Sequence, residues 1–389
     1  MSERPLLERF GLAYFERRSR AMPAVVADDE VYVLNPRELR ALSWIQRWTV
    51  IRAALIGAAS GFVAALAEVL ASPMLGPDPD AASLTLRIEY YVIVVGVAGV
   101  ATVFEIGFLY WDALRSVHNL SRAAGLPLFD PHGDDEKNEV AAALARAALE
   151  LPSPITSVFG INPLRESNKL VLVGVAVFYK LKIGVTNFLM KALIRRAAGR
   201  AAVRTMLVWV AVPVTAAWNA VVAFLVMREA RLRAMGPSAA RAFAEIILDH
   251  RKLSPAGRLA AMRAVGANIV RTQQMHPNLV CFLNEVDRHI DDVPEAPLDD
   301  TELFLNSLAG LTGEEQDVAL MVLCVGAVLD GRVNRRERHL ITRALEAAGR
   351  DPDRQPLDDL RWAFAHGKPI EQAVVEACAP SPIASSVQY

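Results

Sequence analysis

Trp48–Ser72, WTVIRAALIGAASGFVAALAEVLAS, and Tyr91–Trp111, YVIVVGVAGVATVFEIGFLYW, decide how this chain is read. Each is apolar over about 20 residues, the length that crosses a bilayer core at ~1.5 Å per residue. The turn between them is short and polar, so the pair reads as an antiparallel membrane hairpin. Few charges lie inside it. Counting outward from the turn sets Arg52 level with Glu105, and Glu68 level with Arg87. Opposite charges at matched depth are expected to pair, because a lone ion in lipid is costly. Gly57 and Gly61 in the first segment, and Gly96, Gly99 and Gly107 in the second, favour close packing within the hairpin.

Charge around the hairpin gives its orientation. Eight arginines precede the first span, whereas the turn SPMLGPDPDAASLTLRIE carries one Arg and no Lys. The positive-inside rule places both ends of the hairpin in the cytoplasm and the turn outside. Trp44 and Trp48 fit the headgroup level as anchors. Upstream, residues 3–20 form an amphipathic helix with Leu6, Leu7, Phe10 and Tyr14 on one side and Arg9, Arg17, Arg18 and Arg20 elsewhere. That helix suits either an anionic membrane surface or packing on a cytoplasmic domain. No secretory leader is legible before the first span. Asn35, Pro36 and Glu38 mark a helix start that runs on into that span.

Residues 112–169 read as a cytoplasmic linker with one helix that starts near Asp134 or Asp135 and stops at Pro152. His132 with Asp130, Asp134 and Asp135 resembles a metal cluster, but acidic residues at a helix start serve the macrodipole equally well. The second apolar block covers 170–228. Thr205–Met227 is a span with Pro213 at its middle, where a kink is expected, and Asn219 is its one strongly polar side chain. The preceding run, 170–193, is interrupted by Lys180 and Lys182. It reads as a fourth span or as a helix lying in the headgroups. Lys180 counts level with Asn219, whose amide oxygen is an expected acceptor.

From Gly236 the pattern is that of a soluble helical domain, with helices expected at 237–250, 255–274, 277–290, 299–309, 313–330, 335–349, 357–366 and 370–378. The tail beyond 378 lacks periodicity. The expected fold class is therefore all-α: a polytopic membrane protein of four spans with a C-terminal helical cytoplasmic domain. Three cysteines, Cys281, Cys324 and Cys378, lack the spacing of a zinc site or a disulfide framework. A net charge of −1 argues against nucleic acid as a partner. No Walker A pattern, GxGxxG, HExxH or GxSxG occurs, so neither an enzyme nor a cofactor is expected.

The stretch LTGEEQDVALMVLCVGAVLDGRVNRRERHLITRALEAAG resembles the TerB-like family, named after a tellurite-resistance protein. An apolar helix, Asp330-Gly331, Val333, and Glu337 opening a second helix with Leu340 and Leu345 carry the likeness. The resemblance covers roughly 298–378 and implies a compact helical domain used for interactions at the inner face of a membrane. In some members an acidic surface binds divalent cations, which makes Asp330 and Glu337 the candidate metal ligands. The same residues also serve as a turn: Gly331 as C-cap, and Asn334 with Glu337 as a capping box.

Together these readings point to an integral inner-membrane protein of bacterial type. Its lipid bilayer is one partner, and its cytoplasmic domain is a scaffold or sensor that docks another protein. Homo-oligomers are compatible with this. A small oligomeric transporter or channel using Lys180 and Lys182 is the alternative. Reporter tags at the N-terminus, within 75–85 and after 380 should report cytoplasm, exterior and cytoplasm. A cytoplasmic signal from 75–85 would remove the hairpin.

Overall fold

The computed structural model of the chain describes residues 5–22, 33–76, 82–126, 128, 135–151, 158–165, 204–290, 293–353 and 355–380. All regular elements among them are helices, with one isolated antiparallel bridge between Val158 and Ile161. Three helices are long and apolar enough to cross a membrane: Pro36–Leu75, Leu84–Ala123 and Val212–Leu248. The expected fourth span at 170–193, with Lys180 and Lys182, lies outside the described residues. So do Asp130–Asp134 of the candidate acidic cluster. The chain divides into two compact units, 1–42 with 120–167 and 229–389, and 43–119 with 168–228.

The first of the long apolar helices runs Pro36–Ala71, lies in the second of these units from Ser43 on, and tightens into a 3-10 turn at Ser72–Leu75. Asn35 caps it: its Oδ1 accepts from Arg37 and Glu38 N–H, and Glu38 Oε2 accepts from Asn35 N–H. Arg52 does not meet Glu105. Its Nε donates to Asp112 Oδ1 at 2.8 Å, and its Nη2 donates to Ser116 Oγ at 3.1 Å. Thr49 Oγ also lies 2.8 Å from Ser116 Oγ. Asp112 is two helical turns beyond Glu105. Counting from the turn failed because it matches depth only. A guanidinium carries five donors, and Asp112 beside two hydroxyls satisfies more of them than one carboxylate could. Glu68 and Arg87 form no ion pair among the described residues.

Glu105 instead accepts a hydrogen bond from Asn219 Nδ2 at 2.6 Å. Asn219 is thus a donor, through Nδ2, to the helix Leu84–Ala123, while the expected acceptance by its amide oxygen from Lys180 lies outside the described residues. Gly57 has a different neighbour from the one expected. A Cβ there would lie 2.5 Å from Asn219 Nδ2 and 2.7 Å from the Thr215 carbonyl oxygen. Thr215 Oγ1 donates to the Gly57 carbonyl at 2.8 Å. The close approach is therefore to the 204–248 helix and not within the hairpin, while Gly96, Gly99 and Gly107 have no atom within 4 Å of such a Cβ.

That third helix, Arg204–Leu248, is continuous through Pro213 and through Gly236-Pro237. A break near 236 was expected, since an interior proline costs about 3 kcal/mol. Burial outweighs it: Met227, Ala230, Leu232, Met235, Phe243 and Ile247 are all buried. Helical stability in proteins comes mostly from such packing.

In the other unit, Pro255–Thr272 packs against Pro277–His289, Thr301–Leu308 and Gly313–Val328. The last of these is buried from Val318 to Val328 on every side, as its unbroken apolar run requires. Arg335–Ala347, Gln355–Ala365 and Gln372–Glu376 complete the set, each within a few residues of its expected bounds. Residues read as a linker contribute to the core: Ala141–Ala145 and Leu149 of Asp135–Ala148 and its end are buried. The N-terminal helix Leu6–Arg20 packs on that helix through Glu8, Gly11 and Phe15, with Glu8 Oε1 2.9 Å from Arg146 Nη1.

Removing Arg52 or Asp112 alone should destabilise the chain, because each leaves a partner unpaired. Thermal unfolding in nanodiscs of Arg52→Ala, Asp112→Ala and the double variant should give a coupling of about 1 kcal/mol or more. Additive losses would show that the pair is idle. The Arg52–Glu105 cycle should be additive.

Candidate functional site

The Asp330–Glu337 turn is the place where the sequence proposed ligands, and its geometry is built from two helix ends. Gly313–Val328 stops at Leu329. Gly331 then adopts φ +72°, and its N–H donates to the Val328 carbonyl at 2.8 Å. A left-handed backbone favours glycine. A Cβ at this position would also lie 2.5 Å from Leu232 Cδ1. Asp330 Oδ1 accepts from Arg332 N–H at 2.7 Å and closes the turn. Asn334 starts the next helix: its Oδ1 accepts from Arg336 and Glu337 N–H, and Glu337 Oε2 accepts from Asn334 N–H at 2.7 Å. That is a complete capping box.

Behind the turn lies a buried polar layer that sequence reading missed. Asn278 Nδ2 donates to the Leu329 carbonyl at 2.7 Å and to the Leu232 carbonyl at 3.0 Å. One amide thus ties three elements together. His276 caps its own helix through Nδ1 and places Nε2 3.1 Å from Glu229 Oε1. Arg233 Nε donates to the same carboxylate at 2.9 Å, and its Nη1 donates to the Ala143 carbonyl at 2.7 Å. His276-Pro277 was legible as a helix start. The partner Glu229 was not, since it is 47 residues away and lies on the helix that continues from the apolar span.

The electrostatics of the two candidate ligands follow from burial. Glu337 is pushed up from 4.5 to about 8, first by burial and then by the neighbouring Asp330 carboxyl, against the pull of the Asn334 N–H and Arg338. Asp330 is raised too, again chiefly by burial, with His276 and the Arg332 N–H opposing. Two adjacent carboxyls could share a cation, but Glu337 is already engaged by the capping box. Among the described residues, no group of three or more His, Cys, Asp or Glu side chains gathers to hold a metal. The geometry at Asp330 and Glu337 is that of a cap.

Other titratable groups of this unit are also engaged locally. His289 Nδ1 lies 2.8 Å from the Glu285 carbonyl, at the end of its helix. The Cys324 thiol is pushed well up by its hydrogen bond with Cys378 and by burial, far from a reactive thiolate. Outside the buried layer, Arg332, Arg335 and Arg336 are exposed around the first turn of Arg335–Ala347. None of the three forms an ion pair among the described residues, whereas Arg338 pairs with Asp358 at 2.9 Å. Comparison with family models, with curated proteins and with solved structures finds no match to this chain.

Gly331→Ala should lower stability by about 1–2 kcal/mol, from the left-handed backbone and the Leu232 clash. Glu337 gives a signed pH dependence. Its folded value, about 8, lies above the ordinary 4.5, so the folded state keeps a proton that the unfolded chain releases. Its contribution is full below 4.5 and is lost as pH rises through 8. The melting temperature should therefore fall between pH 5.5 and 8.5, and Glu337→Gln should flatten that slope while keeping the cap. An equal slope in both proteins would overturn this assignment. A magnesium- or calcium-dependent stabilisation lost in Glu337→Gln would instead make the turn a cation site.

Proposed function

We propose that this chain is an integral membrane protein of the bacterial inner-membrane type, with both termini cytoplasmic. Its helical unit, TerB-like over 298–378, serves as a scaffold or sensor that docks a protein partner. An even span count requires 170–193 to cross as well. The observation that carries the docking reading is the trio Arg332, Arg335 and Arg336. Cations at a helix N-terminus oppose the macrodipole, at roughly 0.3–1 kcal/mol each. Three of them stand exposed, without an ion pair among the described residues, on a turn fixed from below by Asn278 and Glu337. A rigid basic rim that disfavours its own helix, with the Asp330 carboxyl beside Arg332 as its nearby counter-charge, fits an acidic partner surface that supplies more.

The triple variant Arg332→Glu/Arg335→Glu/Arg336→Glu separates stability from binding. Reversal should leave the melting temperature unchanged or raise it by a few degrees, because the new charges suit the dipole. It should abolish the cross-links that the wild-type helical unit forms with an acidic protein in native membranes. The Arg→Lys triple variant should retain them. Cross-linking that is indifferent to the reversal would remove the docking reading.

A further inference from the structure

The N-terminal helix Leu6–Arg20 uses a different face from the one its sequence advertises. Its apolar stripe is Leu6, Leu7, Phe10 and Tyr14, yet the face packed on Asp135–Ala148 is Glu8, Gly11 and Phe15. The Glu8–Arg146 ion pair, at 2.9 Å between nearly buried side chains, fixes the rotation of the helix about its axis. The stripe is consequently turned outward. Leu6 is 80% exposed, Phe10 61% and Leu7 46%. These three lie at i, i+1 and i+4, on one side of the helix. Arg9 and Arg17 are exposed on the same helix, as is Arg20, which pairs with Glu16 one turn earlier. Contiguous large apolar side chains rimmed by cations mark an interaction surface, not an ordinary scatter of surface leucines.

We infer that this face docks on the anionic headgroup layer of a bilayer, lying in the plane with Leu6, Leu7 and Phe10 immersed. Three features choose the bilayer as occupant. The flanking charge is arginine, whose planar fork matches phosphate oxygens. The pattern, apolar on one side and basic at its margins, is that of an interfacial helix, whose apolar face sinks about 5–10 Å below the headgroups. Finally, the same chain carries helices apolar enough to span, and the first begins at Pro36. The 15 residues between Arg20 and Pro36 reach up to about 50 Å when extended, which bounds how far this face can lie from the start of that helix. Tethering removes the need for high intrinsic affinity, since the local concentration of headgroups is already high. Buried Phe15 and Glu8 hold the helix preformed, so no folding cost attends docking.

This inference concerns a face remote in sequence from the basic rim at Arg332–Arg336, and it shares with the docking reading only the membrane itself. Insertion of the full chain into nanodiscs is verified separately by co-elution with lipid. The test places a nitroxide on Phe10→Cys in the full chain, with the unsubstituted protein labelled in parallel to subtract native cysteines. In discs containing phosphatidylglycerol the probe should be more accessible to oxygen than to a water-soluble nickel chelate. High salt, purely zwitterionic lipid, or the variant Arg9→Glu/Arg17→Glu/Arg20→Glu should each cut the immersed population by roughly tenfold. A probe open to the nickel chelate in anionic discs would overturn the inference. So would a probe shielded from both reagents, which would mean that protein covers the face. Immersion equal in anionic and zwitterionic discs would overturn the role given to the arginines.

Discussion

A polar group placed among apolar helices has no water to turn to, so it must find its partner within the chain. Leaving one unsatisfied in hydrocarbon costs several kcal/mol. The packing of the apolar unit obeys this constraint at Arg52, Glu105, Thr215 and Asn219. Arg52 draws in Asp112, Ser116 and Thr49, and so sets the register between the helices Pro36–Ala71 and Leu84–Ala123. Asn219 satisfies Glu105, which fixes Arg204–Leu248 against Leu84–Ala123. Thr215 bonds the carbonyl of Gly57, and the absent side chain there is what allows the two backbones to approach. Three helices are thus held by three polar contacts. Apolar side chains alone could not hold them so, because lipid offers them an environment as favourable as a neighbouring helix does.

The same constraint organises the helical unit, although there it acts at helix ends. The first N–H groups and last carbonyls of each helix have no internal partner. Asp300, Thr312, Asn334 and Ser254 meet the first kind, and Glu315 serves two starts at once, accepting from Thr312 N–H and Ser254 N–H. Asn278 meets the second kind at Leu329, and it also donates to the Leu232 carbonyl inside Arg204–Leu248. The Asp330–Glu337 turn is where both kinds occur together. That explains why two carboxyls of raised pKa persist in a buried place: each oxygen that accepts a backbone N–H replaces water it has lost.

The division between what was legible in the sequence and what was not follows from this. Helix starts were legible because their signals are local: Ser254-Pro255, His276-Pro277, Thr312 with Glu315, and Asn334 with Glu337 lie within three residues of each other. Partners across helices were not. Arg52 with Glu105 was a guess from depth, while Asp112 and Ser116, one turn apart on a single face, carried the relevant signal opposite Thr49 and Arg52. Gly236-Pro237 has every local mark of a boundary, and burial of the surrounding residues overrides it. For the N-terminal helix, the stripe of Leu6, Leu7 and Phe10 leaves a membrane surface and packing on a helical domain both open, and a single charge pair, Glu8 with Arg146, decides the rotation.

That decision shows how the chain distributes its chemistry. The polar side chains described in the interior are largely taken up by structure. His276 and Arg233 share Glu229, Arg233 also meets the Ala143 carbonyl, and Glu337 closes a cap. A group so engaged cannot be released for reaction without losing the fold it supports. Exposed side chains are different: Arg332, Arg335 and Arg336 on one turn, and Leu6, Leu7 and Phe10 on one helix, hold nothing together internally. Residues that contribute little to their own fold, and in the arginines' case oppose a helix dipole, make most physical sense where something outside the chain meets them. The two faces differ in the way their occupants should differ. The rim at 332–336 is purely cationic and suits a polar acidic surface, whereas the N-terminal face is apolar with cations at its margin and suits the boundary between lipid tails and phosphate.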